Sequence, residues 1–125
     1  MATNAAATYR NNKLLTATPA DLTLMLYEAA IKFCNLASMA LEKKDYNTTN
    51  TNLIKAQRII TELRTSLDFK YPVAKEFDRV YEYIHHRLVE ANIRKDIEAL
   101  EEALQYTREM RDTWKEVMKT AKLSG

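Results

Sequence analysis

The chain has almost nothing that breaks a helix or makes a turn: one glycine and two prolines in 125 residues, and the glycine comes last. A sandwich or barrel of short strands needs a turn signal roughly every ten residues, so this poverty excludes one and leaves long helices. Without an internal glycine there is no Gly-rich loop to cradle a phosphate. The single cysteine, Cys34, excludes an intramolecular disulfide. In an apolar helical setting with no activating base in sequence reach, it is no nucleophile. The two histidines are neighbours, His85 and His86. Glu82-Tyr-Ile-His85 therefore lacks the second Glu-x-x-His that a di-iron bundle requires. Neither metal nor cofactor is expected, and the chain does not read as an enzyme. An excess of one charge is also missing: 19 basic against 17 acidic residues, net +2, gives no electrostatic grip on nucleic acid. No apolar run is expected to span or insert into a membrane, and the start, MATNAAATYRNNK, lacks the hydrophobic stretch of a secretory signal.

What is present is helical periodicity. Thr16 to Phe33 opens the first long helix: Thr18 is placed to cap it, Pro19 stands where a missing N–H costs nothing, and Asp21 puts an acid in the first turn. Helices are expected over about 19–43, 46–68, 73–93 and 97–121, the later ones capped by Asp45 and Asp96 and the middle break carried by Phe69-Lys70-Tyr71-Pro72. Four long helices with short links put neighbours antiparallel, so the fold expected is all-α, an up-down-up-down four-helix bundle over residues 16–125. Residues 1–15, small and polar apart from Tyr9, Leu14 and Leu15, read as a flexible N-terminal arm. The run Asn47 to Asn52 is made of poor helix formers, and that end is expected to be the weakest of the bundle.

The first helix has apolar residues on two faces, where a surface helix needs one. Leu22, Leu26, Ala29, Phe33, Leu36, Ala37 and Ala40 share one; Leu24, Tyr27, Ile31 and Cys34 lie nearly opposite. The spare face packs on another helix or accepts a partner. Seven tyrosines, amphipathic and suited to half-buried contacts, add to the case for a peptide-accepting groove. Arg87 and Arg111 fall on apolar stripes, where pairing with a carboxylate or snorkelling is expected.

Five segments in order give the chain a resemblance to the flagellin export chaperones, the FliS family. They are Tyr9-Arg-Asn-Asn-Lys-Leu-Leu-Thr16-Ala-Thr-Pro19 with Met25-Leu-Tyr-Glu-Ala-Ala-Ile-Lys-Phe33; Ala56-Gln-Arg-Ile-Ile-Thr-Glu-Leu63 and Ser66-Leu-Asp68; Tyr81-Glu-Tyr-Ile-His-His-Arg-Leu88; Ala91-Asn92; and Leu100 to Trp114, ending Met-Arg-Asp-Thr-Trp. Glu28-Ala29 stands for the family's Asp-Gly and Thr18 for its Ser, and the 69–72 link lacks the usual glycine pair. The resemblance implies a cytoplasmic bacterial chaperone that binds the disordered C-terminal region of flagellin, keeps it from polymerising and delivers it for type III export, with the export gate as a further partner. It also implies that the arm, through the tyrosine matching Tyr9, covers part of the groove when the client is absent. Combining the second face of the first helix with family-matched positions, the expected client-binding residues are Leu24, Tyr27, Ile31, Cys34, Ile54, Ile59, Tyr81, Leu88, Tyr106 and Trp114. Tyr9, Leu14 and Leu15 are expected to mimic client anchors. The alternative is a structural bundle that self-associates through its spare face and has no client.

Overall fold

The computed structural model describes residues 17–124. Thr18 starts α1 (Pro19–Glu42) with a capping box: its Oγ1 accepts from the Asp21 N–H at 3.1 Å, and its own N–H donates to Asp21 Oδ2 at 3.1 Å. Asp45 caps α2 (Tyr46–Thr65), accepting from the Thr48 N–H at 3.2 Å. Pro72 precedes α3 (Val73–Arg94), and Asp96 accepts from the Glu98 N–H at 2.9 Å ahead of α4 (Ile97–Ser124). The two tight reversals would ordinarily use glycine. Here Lys44 (φ 59°) and Lys95 (φ 50°) adopt the left-handed conformation instead.

α2 stops at Thr65, three residues short of the expected Asp68, because Ser66 closes it: its Oγ donates to the Leu63 carbonyl at 2.8 Å. The 66–72 link then turns on Asp68, which accepts from the Lys70 N–H at 2.9 Å through its side chain and from the Tyr71 N–H at 3.1 Å through its carbonyl. The Asn/Thr start of α2 is fully helical. Thr49 and Asn52 are buried there and return hydrogen bonds to the Asp45 carbonyl at 2.8 Å and the Thr48 carbonyl at 2.9 Å.

α1 packs on α2 and α4, and α3 packs on the same two, so α1 and α3 face each other across the diagonal. The fold is the antiparallel four-helix bundle. Its core takes Tyr27, Ala30, Ile31, Cys34 and Ala37 from α1, Leu53, Ala56, Ile60 and Leu63 from α2, Tyr81, Ile84, Leu88 and Ala91 from α3, and Ala99, Leu100, Ala103, Leu104 and Met110 from α4. Val73 and Val117 are exposed at bundle edges, and Tyr81 is in the core. Arg87 and Arg111 are paired with carboxylates: Arg87 with Glu90 and Glu102, Arg111 with Glu28 and Asp112.

One expectation from composition needs correcting. α1 is long and apolar enough to cross a membrane by length and composition. The cause is visible in the bundle: α1 is apolar toward the core and apolar outward as well.

Candidate functional site

On α1 the two faces have separate fates. Tyr27, Ala30, Cys34 and Ala37 have no exposed surface; Ala37, like Ala40, was expected on the opposite face, and both are buried instead. Tyr27 reaches across the diagonal, and its hydroxyl hydrogen-bonds that of Tyr81, the rings 6.3 Å apart. Burial raises both phenol groups above their ordinary value, so both stay protonated. The small side chains at 30, 34 and 37 allow the neighbouring helices to come close, and this decides which face goes inside.

The opposite face looks outward. Leu22, Leu36 and Met39 are 41%, 40% and 55% exposed, with Met25, Leu26, Ala29 and Phe33 half-buried among them. From Leu22 to Met39 this is an apolar stripe of about 26 Å. Its edge toward α2 is cationic: the Lys32 and Lys55 ammonium groups sit 5.7 and 5.3 Å from the Phe33 ring centroid. Lys55 and Ile59, one turn apart on α2, continue the surface. Its edge toward α4 is polar, with Glu28 near Arg111 at 3.6 Å and Asn35 accepting from Arg108 at 3.3 Å.

The residues expected to meet a client do not gather in one place. Tyr27, Ile31, Cys34, Tyr81 and Leu88 are interior. The correction has a plain cause: two equally apolar faces compete for one core, and the face with small residues and a hydroxyl partner goes inside. Leu24 is half-buried in a shallow hollow with Lys115, Met118 and Lys119 between α1 and α4. Trp114 is half-buried near the same end, its indole N–H donating to the Ala20 carbonyl at 3.0 Å and so fixing the start of α1. Ile54 lines a hollow between α2 and α3 with Gln57, Arg58 and His85, and Ile59 packs at the core edge of α2. Tyr106 lies between α3 and α4, edge-on to Tyr83 at 5.5 Å. Tyr9, Leu14 and Leu15, with the arm they belong to, lie outside the described residues. The outward stripe itself, Leu22, Met25, Ala29, Phe33, Leu36 and Met39, was not among the expected client-binding residues. Their only signal in sequence was the doubled apolarity of α1.

The fold and this surface define a class: an all-helical bundle with an apolar face turned outward. A family described as "Flagellar protein FliS" matches residues 2–121. The chain is 42% identical over 112 residues to the flagellar secretion chaperone FliS of Bacillus subtilis (strain 168), covering 90% of this chain and 84% of that protein. It is 31% identical over 106 residues to the flagellar secretion chaperone FliS of Escherichia coli (strain K12), covering 82% and 78%. A solved structure of a flagellar chaperone from bacteria superposes with a TM-score of 0.75 at 18% identity, over 91% of this chain and 94% of the other, which concerns the fold alone. The chain belongs to the FliS family of flagellar secretion chaperones.

Proposed function

We propose that the chain is a cytoplasmic export chaperone for flagellin, holding the client's disordered C-terminal region against the outward face of α1. The observation that carries this reading is the apolar stripe from Leu22 to Met39, on a face that a bundle helix ordinarily keeps polar. A segment that assembles helix against helix in a filament needs a substitute neighbour before export, and such a stripe supplies one. Ordering the segment costs about 2–5 kcal/mol, so the surface has to be large. Leu24, Ile59 and Trp114 extend or brace it; Tyr27, Ile31, Cys34, Tyr81 and Leu88 fix its shape from beneath. The arm at 1–15 competes for the same stripe through Tyr9, Leu14 and Leu15. Tethered at an effective concentration of ~1 mM, an arm of ~0.1 mM intrinsic affinity would weaken client binding about tenfold.

Calorimetric titration with the C-terminal segment of the same organism's flagellin tests this. Saturation near one to one is expected, at least tenfold weaker for Leu36→Lys and about tenfold tighter when residues 1–15 are deleted. No binding by the unaltered chain overturns the chaperone reading; binding indifferent to the deletion discards the arm alone. The stripe also suits a second reading, self-association without a client. That reading requires a stable oligomer in client-free light scattering at low concentration.

A further inference from the structure

A second unpartnered surface lies between α3 and α4. Since α1 is diagonal to α3, this groove is on the side of the bundle away from the outward face of α1. Arg79, Val80, Tyr83 and Tyr106 line its hollow, and Val117, about three turns along α4 on the same side of that helix, lines the next one; Tyr83, Tyr106 and Val117 are 38–43% exposed. Tyr83 is held upright by its neighbours: its hydroxyl donates to Glu102, and its ring meets Tyr106 edge-on. Two rigid aromatic rings presented to solvent are an arrangement a folded core does not need and a docking surface uses.

The two rims differ. On α3 Arg79 lines the hollow, while Glu82 turns away to pair with Arg64 of α2. On α4 acids predominate. Glu98, Glu101, Glu102, Glu109, Asp112 and Glu116 line one side of the helix over about 27 Å. Glu98, Glu101, Glu109 and Glu116 make no ion pair among the described residues. A row of like charges beside an apolar floor raises the cost of any acidic neighbour and favours a basic one.

We propose that the α3–α4 groove docks an amphipathic helix of a second partner protein, with three turns or so of apolar side chains on Val80, Tyr83, Tyr106 and Val117 and a lysine- or arginine-rich flank against the acidic rim of α4. Complementary charge selects this occupant over an acidic segment and over nucleic acid, and it fixes which way the helix lies. The site stands independently of the flagellin reading.

The test is amide chemical-shift mapping of the full chain with two probes: a 14-residue amphipathic peptide with leucines at helical spacing and lysine along one flank, and the same peptide with glutamate in place of lysine. The lysine peptide is expected to shift the amides of 79–83, 106 and 113–117 saturably, to bind at least tenfold more tightly than the glutamate peptide, and to lose that preference in Glu109→Lys/Glu116→Lys, whose positions are solvent-facing. The same shifts should appear with the α1 face occupied by saturating flagellin segment. Shifts confined to 22–39, equal affinity for both peptides, no shifts at all, or displacement by the flagellin segment each overturn the proposal. Groove shifts that depend on protein concentration without peptide also overturn it, assigning the groove to a second copy.

Discussion

Tyr27 and Tyr81 each bring one hydroxyl into the core, and each is the other's partner. Removing one leaves the other buried and unpaired, which costs about 1–3 kcal/mol, whereas removing both is close to neutral. Urea unfolding should therefore show Tyr27→Phe and Tyr81→Phe each destabilising by that amount and the double variant recovering most of it; a simply additive double variant refutes the pairing. Burial also pushes the Cys34 thiol up to about 12 and raises both phenols. A raised folded value means that the unfolded chain gives up its proton first. The stability is fully present below the unfolded values, near 9 for the thiol and 10 for the phenols, and is lost as the pH climbs past them. The urea midpoint should hold from pH 7 to 8.5 and fall by pH 10.5, with a smaller fall in the Tyr27→Phe/Tyr81→Phe chain. Cys34 was legible in sequence as inert. The tyrosine pair was not, since the two residues are 54 positions apart and only the bundle diagonal joins them.

At the scale of elements, the helices follow their signals closely. Thr18, Asp45 and Asp96 cap where their side chains allow, and Pro72 opens α3 because the chain before a proline avoids helix. Glycine poverty has a consequence here. Lys44 carries a left-handed backbone that a Cβ disfavours, so Lys44→Gly should stabilise by about 0.5–1 kcal/mol in thermal or urea unfolding, net of glycine's entropy. The two faces of α1 should separate cleanly under mutation. Leu36→Lys on the outward stripe should move stability by less than about 0.5 kcal/mol. Leu63→Ala, which opens a cavity at a fully buried site on α2, should cost about 2–5 kcal/mol. If Leu36→Lys proves as costly as Leu63→Ala, the stripe is not free in solution.

For the whole molecule, residue types and their spacing determined a great deal: the helical class, the number of helices, their ends to within a few residues, and the antiparallel order. Each rests on local chemistry, on caps, breakers and periodicity, which a chain expresses without knowing its neighbours. What only the tertiary structure decided was the use of the faces. α1 has two stripes of matching apolarity, and hydrophobicity alone cannot rank them, because burial gains scale with area and are blind to direction. Packing ranked them. The face with Ala30, Cys34 and Ala37 lets α2 and α4 come close, and its Tyr27 finds the one hydroxyl across the core that satisfies it, so Leu22, Leu36 and Met39 are left outside. The same holds for Tyr83 and Tyr106, whose pairing depends on how α3 lies against α4. Shape complementarity between distant segments exists only once they meet, and so it was the bundle that chose which apolar surface was left for a partner.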